Sequence, residues 1–461
     1  MRKHILIGVG LFILISLLPL PVTQAIKVSL AMVLVMVYWW ITKPVDYAVT
    51  ALLPLVINAV FSISPQKDLA AIFFNDLVLI LISSNIIIQG WIRWKLDRRM
   101  AFRFMSLLGH SQVLQLSAWF TLSVLLSAFV PNLIAAVILM PVAYMTSMAT
   151  DKNSSKLATA SVLSIAFGTS IGGIATPLGG AMNLVVMQNI TQLITHREVM
   201  FITWTFNMLP LAVGLWLAGL VYMVYTAKLD KRSDPSTRTF FRQRYRELGT
   251  MSSEEIKLML LFALPAILSF LRPLFAKSFP DITPGILFLA AALLSFFLPS
   301  REGRLLEWQH SAANINWNVV FLMAGGMALG RMMGDSGAFA WLAGQLTDIG
   351  YGSSIVIVLV GLGILVTNLT TNTATCALLV PMVASLLTAI KLDPVPYIYV
   401  VTAAANCAFA LPSASAGPAM VVSYGVELKD MARSGLGLAV VSYAVILLIG
   451  WVLIKFHYFI I

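Results

Sequence analysis

Charge is scarce in this sequence. Asp, Glu, Lys and Arg make up 11% of 461 residues, against roughly 25% in soluble domains. With 59% hydrophobic residues, there is too little polar surface to cover a soluble fold. Cysteine is nearly absent. Cys376 and Cys407 both lie inside apolar runs, which excludes a disulfide framework and a Cys-based metal site. Carboxylates are missing from the centres of the apolar runs, whereas proton-driven and cation antiporters normally carry them there. Asp46 and Asp76 fall at run ends and read as interfacial. His4, His110, His196, His310 and His457 lie near termini or loops, so no His–carboxylate constellation for catalysis can be assembled. A basic face for nucleic acid would need a soluble domain, and none is present.

What the sequence has in quantity is long apolar runs. Ile5–Leu20, Val28–Ile41, Leu77–Ile92, Ile282–Leu298 and Leu436–Ile454 approach or reach the roughly 20 residues that span a bilayer. The expectation is an all-α polytopic protein of the cell (inner or plasma) membrane. Arg2, Lys3 and a cleavage-like Thr23-Gln24-Ala25 resemble a leader, but the many later runs favour a first transmembrane helix. Spans are expected at 5–22, 26–42, 46–63 and 75–93, followed by a basic amphipathic segment from Arg93 to Arg103. Placing that segment in the cytoplasm places Met1 there too.

Region 113–149 is interrupted at Val130-Pro131-Asn132 and reads as a re-entrant hairpin from the cytoplasmic side, because the polar stretch Asp151–Lys156 returns to that side. A broken span 158–190 and a full span 201–226 complete a first half, 1–226. A linker at 227–254 carries Lys228, Lys231, Arg232, Arg238, Arg242, Arg244 and Arg246, the strongest positive-inside signal in the chain. The second half, 255–461, repeats the pattern: spans at 255–275, 282–299 and 317–333, an external-side hairpin at 353–390, a broken span at 396–424 and a last span at 435–456. Asn132 stands nine positions before Pro141, and Asn372 nine before Pro381. A second break follows each Asn, at Thr176-Pro177-Leu178-Gly179-Gly180 and at Leu411-Pro412-Ser413-Ala414-Ser415. Two halves inverted in the membrane explain this doubling.

Lipid permits broken backbone only where protein or a wet cavity satisfies the freed groups. Four matched breaks therefore imply one cavity near the midplane. Restarting helices aim N–H groups and a partial positive charge at it, an anion site that needs no buried Lys or Arg. The carbonyls ending the upstream half-helices suit a hard cation such as Na⁺. The string Thr367, Asn368, Thr370, Thr371, Asn372, Thr373, Thr375 supplies hydroxyls and amides at the second tip, and Ser127, Asn132 and Gly168–Gly173 lie around the first. Gly172 and Gly173 suit either tight helix packing or close approach to a ligand.

At these motifs the chain resembles the divalent anion:sodium symporter family, carriers of dicarboxylates, citrate and sulfate. The resemblance rests on Thr371-Asn372-Thr373-Ala374-Thr375, which is close to the family's Ser-Asn-Thr tip. It rests also on Trp39–Pro44 running into Ala48–Pro54, Ser170–Pro177 and Ala408–Pro412. It implies about eleven transmembrane helices plus two hairpins, scaffold and transport domains, a homodimer and elevator-type movement. It implies Na⁺ held by Ser127, Pro131 (through its carbonyl), Asn132 and Gly179, and by Thr367, Thr370, Asn372 and Ala414. The substrate would meet Asn132, Gly180, Asn372, Thr373 and Ser415. The chain departs from the pattern at Pro131 and Leu133, at Lys43 where Glu is usual, and in the runs Gly180–Asn183 and Ser415–Pro418. Leu133 removes a hydroxyl, which opens the reading of another small anion, and the altered ion site at Pro131 leaves room for exchange without Na⁺. A cation/proton antiporter of the same broad architecture and a non-transporting membrane enzyme or scaffold are the remaining alternatives.

Overall fold

The fold is described from a computed structural model covering residues 2–108, 111–150, 156–229, 235–346, 355–412 and 414–460. The chain is helical almost throughout. The first half opens with α1 (Arg2–Leu17), α2 (Gln24–Thr42), α3 (Tyr47–Ala51), α4 (Leu53–Phe61), α5 (Gln66–Ile72) and α6 (Asp76–Arg93). The single span expected over 46–63 is two helices. Pro54 has no N–H to give Thr50, four residues back, so the ladder is interrupted there.

After α6 comes α7 (Leu96–Leu108), the amphipathic segment, then α8 (Gln112–Ser127) and α9 (Asn132–Thr150), the first hairpin. The broken span is α10 (Lys156–Gly172) and α11 (Ala181–Asn189), and α12 (Phe201–Ala227) follows. The basic linker is not all loop, since Pro235–Glu247 forms α13. Its residues Asp230, Lys231, Arg232 and Asp234 lie outside the described residues, as do Asp151–Ser155, Ser413 and His110.

The second half holds α14 (Ser253–Phe270), α15 (Arg272–Phe275), α16 (Pro284–Phe297), a small β-hairpin of Pro299–Ser300 with Gly303–Arg304, α17 (Trp308–Ala313), α18 (Trp317–Asp335) and α19 (Ala338–Leu346). Then come the second hairpin, α20 (Ile355–Leu369) and α21 (Asn372–Ala389), the broken pair α22 (Pro394–Ala405) and α23 (Ala416–Val421), and α24 (Leu428–Lys455). At 1.5 Å per residue the 28 residues of α24 reach across a bilayer core of about 30 Å. Val221, Val440 and Leu448 point outward and are about 70% exposed, the apolar exterior that lipid covers.

The halves interlock crosswise. α11 packs on α21 of the other hairpin, and α23 packs on α9 and α10. Small residues make this close approach possible. A Cβ on Gly417 of α23 would fall 2.9 Å from the Ala166 carbonyl of α10. The two ends of α6 mark the two ends of the bundle. At its start Asp76 accepts hydrogen bonds from Thr283 and from Gly285 N. At its end Arg93 pairs with Glu302 and Trp94 donates to the Leu305 carbonyl. The basic helices α7 and α13 pack together at this second end.

Candidate functional site

Both hairpin tips reach the middle of the bundle. They line one cavity of about 340 Å³ with Pro131, Asn132 and Leu133 from the first tip and Thr371, Asn372 and Thr373 from the second. The breaks of both discontinuous helices complete the wall through Gly180, Ala181 and Met182 on one side and Pro412, Ala414 and Ser415 on the other. Helices α9, α11 and α21 therefore begin at the cavity edge, and the first N–H groups of each have no partner within their own helix. Their partial positive charge is aimed at the same space.

Lys43, Tyr47, Asn316 and Asn318 also line this cavity. Among the described residues, Lys43 is the one charged side chain on this wall and no carboxylate lines it. It follows α2 in the left-handed conformation, with its N–H bound to the Trp39 carbonyl, and its ammonium stands 5.0 Å from the Tyr47 ring centroid.

Beside each tip lies a cluster of oxygens, and the two clusters are built alike. In the first, Ser127 Oγ donates to the Thr169 carbonyl at 2.8 Å. The inner amide atom of Asn132 faces Ser127 Oγ at 2.8 Å, the Gly179 carbonyl at 2.9 Å and the Thr169 carbonyl at 3.1 Å. Three oxygens around one point call for a positive partner. The Asn132 NH2 satisfies them when turned inward, and a small hard cation satisfies them when the amide oxygen is turned inward and becomes a fourth ligand. In the second cluster, Thr367 Oγ1 donates to the Ala405 carbonyl at 2.5 Å and to Asn372 Oδ1 at 3.2 Å. Both donor sets are neutral oxygens, which fit Na⁺ chemically. Gly173 leaves room for the first cluster, since a Cβ there would fall 2.2 Å from Asn132 Oδ1.

The broken backbone is satisfied by side chains, as an apolar setting demands. Asn183 Nδ2 donates to the carbonyls of Gly173 and Thr176 at 2.6 and 2.8 Å, and Trp204 Nε1 donates to the Ile174 carbonyl at 3.1 Å. In the other half, Asn368 accepts from Ala410 N at 2.9 Å and donates to the Cys407 carbonyl at 3.0 Å. The halves are joined by Asn406. Its Oδ1 accepts from Asn372 Nδ2 at 2.6 Å and its Nδ2 donates to the Ser170 carbonyl. Ser170 Oγ lies 3.4 Å from Ser415 Oγ.

Of the expected residues, Ser127, Asn132 and Gly179 come together at the first cluster, and Thr367 with Asn372 at the second. The Pro131 carbonyl faces α9 and accepts from Ile134 N and Ala135 N at 2.9 and 3.1 Å. Thr370 Oγ1 accepts from Thr371 N at 2.5 Å, and Ala414 lies on the cavity wall. Gly180, Thr373 and Ser415 also line it. Sequence reasoning did not find Asn406, Asn316 or Asn318, nor the placement of Lys43. The Asn314-Ile315-Asn316-Trp317-Asn318 run before α18 was the signal available for two of them.

The model of the sodium:sulfate symporter transmembrane region matches residues 2–456. This chain belongs to the sodium:sulfate symporter family. The resemblance to divalent anion:sodium symporters is thereby borne out, and the chain is a membrane transporter, not an enzyme. Among family relatives, the sodium-dependent dicarboxylate transporter SdcS of Staphylococcus saprophyticus is 29% identical over 472 residues, covering 98% of this chain and 91% of that protein. SdcS of Staphylococcus aureus strain NCTC 8325 is 28% identical over 440 residues, covering 91% of this chain and 84% of its own length. Two solved structures share the fold of this sodium:sulfate symporter relative. Neisseria gonorrhoeae MtrF has a TM-score of 0.58 at 11% identity and covers 96% of this chain and 97% of its own. The Alcanivorax borkumensis YdaH transporter has a TM-score of 0.54 at 13% identity and covers 84% and 87%.

Proposed function

We propose that this protein carries small di- or tricarboxylates, or a similar divalent anion, across the cell membrane, driven by Na⁺. The observation that carries the reading is the cavity wall. Two hairpin tips and the N-termini of α9, α11 and α21 converge on it, and among the described residues its single charge is the cation Lys43 and it holds no carboxylate. An anion entering this space meets N–H dipoles, the Asn132, Asn372, Asn316 and Asn318 amides, and the Thr373 and Ser415 hydroxyls. The sodium-dependent dicarboxylate transporters among the relatives support the substrate class and the coupling ion. Na⁺ would be held by the oxygens of Ser127, Asn132, Thr169 and Gly179, and by those of Thr367, Asn372 and Ala405. Each cluster shares an Asn with the substrate wall, so a bound ion fixes the amide that the substrate meets.

By the positive-inside rule the α7 and α13 end is cytoplasmic. Lys43, Asn316 and Asn318 lie toward that end, so the cavity opens inward here. In this reading, the hairpins and broken helices form the transport unit that moves against a dimeric scaffold, exposing the cavity alternately. A second reading, exchange without Na⁺ at the first cluster, is favoured by one observation: the Asn132 NH2 alone can satisfy that ring of oxygens.

Uptake of succinate, citrate and sulfate into proteoliposomes, with and without an inward Na⁺ gradient, tests both. Accumulation only with the gradient supports symport. Counterflow independent of Na⁺ supports exchange, and no movement of any anion rejects both. Asn372→Ala is expected to abolish transport while the protein still folds, its thermal unfolding midpoint lowered by only a few degrees through loss of the bond to Asn406.

A further inference from the structure

We infer that the protein binds one anionic phospholipid of the cytoplasmic leaflet in a groove between α8 of the first hairpin and α14. Two adjoining apolar cavities form the groove. One, of about 370 Å³, is lined by Leu122, Leu125, Phe129 and Val130 from the hairpin and by Phe262 and Ile267 from α14. The other, of about 300 Å³, shares Trp91, Met100, Phe262 and Ala263 with it and ends at Arg99, Arg103 and Tyr245. The groove is therefore graded along the membrane normal, with hydrocarbon walls at depth and arginine at the basic end of the bundle.

The two arginines are not equivalent. Arg99 is buried and its charge is engaged by Glu255 Oε1 at 2.6 Å. Its remaining N–H groups donate to the carbonyls of Leu248, Gly249 and Thr250. Arg103 is exposed, lies 5.4 Å from the Tyr245 ring centroid, and has no carboxylate partner among the described residues. It offers a planar, multidentate donor set to a phosphate. Below the arginines the walls are hydrocarbon, with Trp91 shared by both cavities and Leu122, Leu125, Phe129 and Ile267 beyond it. A phosphate at the arginine end and an alkyl chain along the apolar walls, in that order, define a phospholipid, and Arg103, without a carboxylate partner among the described residues, selects a negative headgroup. Such a lipid touches a re-entrant hairpin and its neighbour at once, so its binding is linked to the hairpin's position.

The test uses the purified full-length protein in detergent. Dioleoylphosphatidylglycerol should raise the thermal midpoint by about 3 °C or more beyond dioleoylphosphatidylcholine, and native mass spectrometry should retain one phosphatidylglycerol. Arg103→Ala should erase the difference between the two lipids, Arg103→Lys should keep part of it, and Leu125→Trp, at a half-exposed groove position, should remove the retained lipid. Arg242→Ala, on the exposed face of α13, should leave it intact. Equal shifts by both lipids would overturn the proposal. So would reproduction of the shift by glycerol phosphate alone, or equal losses from Arg103→Ala and Arg242→Ala.

Discussion

Asn406 holds Asn372 by a 2.6 Å hydrogen bond while donating to the carbonyl of Ser170 in the opposite half. One buried amide thus ties the second hairpin tip to the break of the first repeat, and keeps the Asn372 oxygen turned toward Thr367. Its replacement by Ala leaves a buried N–H and a buried carbonyl unpaired, at a cost of about 1–3 kcal/mol each. Asn406→Ala is expected to raise the Na⁺ concentration for half-maximal uptake by about tenfold or more, with a smaller effect on succinate KM. A Na⁺ titration of uptake at saturating succinate measures this, and an unchanged Na⁺ midpoint would count against a positioning role.

Leu133 faces the cavity where Thr373 stands in the other repeat. Leu133→Thr restores a hydroxyl next to the free N–H groups of α9. Its gain is expected near 1.5 kcal/mol toward a dicarboxylate, about tenfold in affinity. Competition of succinate against labelled substrate reads this directly, and weaker succinate binding would show that the apolar wall is part of the native selectivity.

Lys43 supplies the one formal charge at the cavity mouth but is exposed. Salt therefore screens it. Lys43→Gln should raise the KM for a divalent anion several-fold at low ionic strength, and the gap should narrow as inert salt is added. A gap independent of salt would mean direct coordination rather than steering.

The breaks at 130–132, 176–180 and 411–415, the polar string around Asn372 and the amphipathic α7 were all legible in the sequence, although the helices before the second breaks end earlier, at Gly172 and Ala405. A single Pro, Gly or Thr in an apolar stretch has other uses in lipid, but their recurrence at matched places in two halves marks a break. Asn406 was not legible, because a lone Asn at a helix end looks the same whether it caps its own helix or crosses to a residue 236 positions away. The placement of Lys43 depends on α2 meeting the start of α18, and nothing local to either segment encodes that meeting. The α13 helix was hidden for a different reason. Its charge density, with Arg242, Arg244, Arg246 and Glu247 in six residues, reads as solvated linker until packing against α7 is known. The division of 46–63 was marked by Pro54 alone, and a proline in an apolar span more often kinks it than ends it.

The pair of Arg99 and Glu255 joins α7 to α14, with side chains 10% and 5% exposed. Glu255 Oε2 also accepts from Ser252 N at 2.7 Å. Arg99→Ala should destabilise the protein by about 3 kcal/mol by stranding that carboxylate. The double variant Arg99→Ala/Glu255→Gln should recover part of the loss, as followed by thermal unfolding in detergent.

Asp97, at the start of the interfacial α7, is 8% exposed with one carboxylate oxygen unbonded. Burial raises its pKa to about 6. The folded protein therefore holds this proton more tightly than the unfolded chain does. Its contribution to stability is fullest below about pH 4, is lost as pH rises through about 6, and stays lost above that. Asp97→Asn should accordingly stabilise the protein at pH 8, by up to about 3 kcal/mol, and leave it nearly unchanged at pH 4. Unfolding midpoints of both proteins across that range check the sign.

Pro131 and Thr371 occupy the same place in the two hairpins, yet they make the tips mechanically different. Thr371 caps α21 with a hydroxyl that accepts from Ala374 N at 3.2 Å, a bond that can be broken and remade as the backbone turns. Pro131 gives α9 no such hydroxyl, and its ring fixes φ near −65°. The two copies have become a stiff jaw and a compliant one. If the cavity takes the anions proposed above, adjustment to cargoes of different length falls on the residues around Thr371, with the Pro131 side as the fixed gauge against which they are sized.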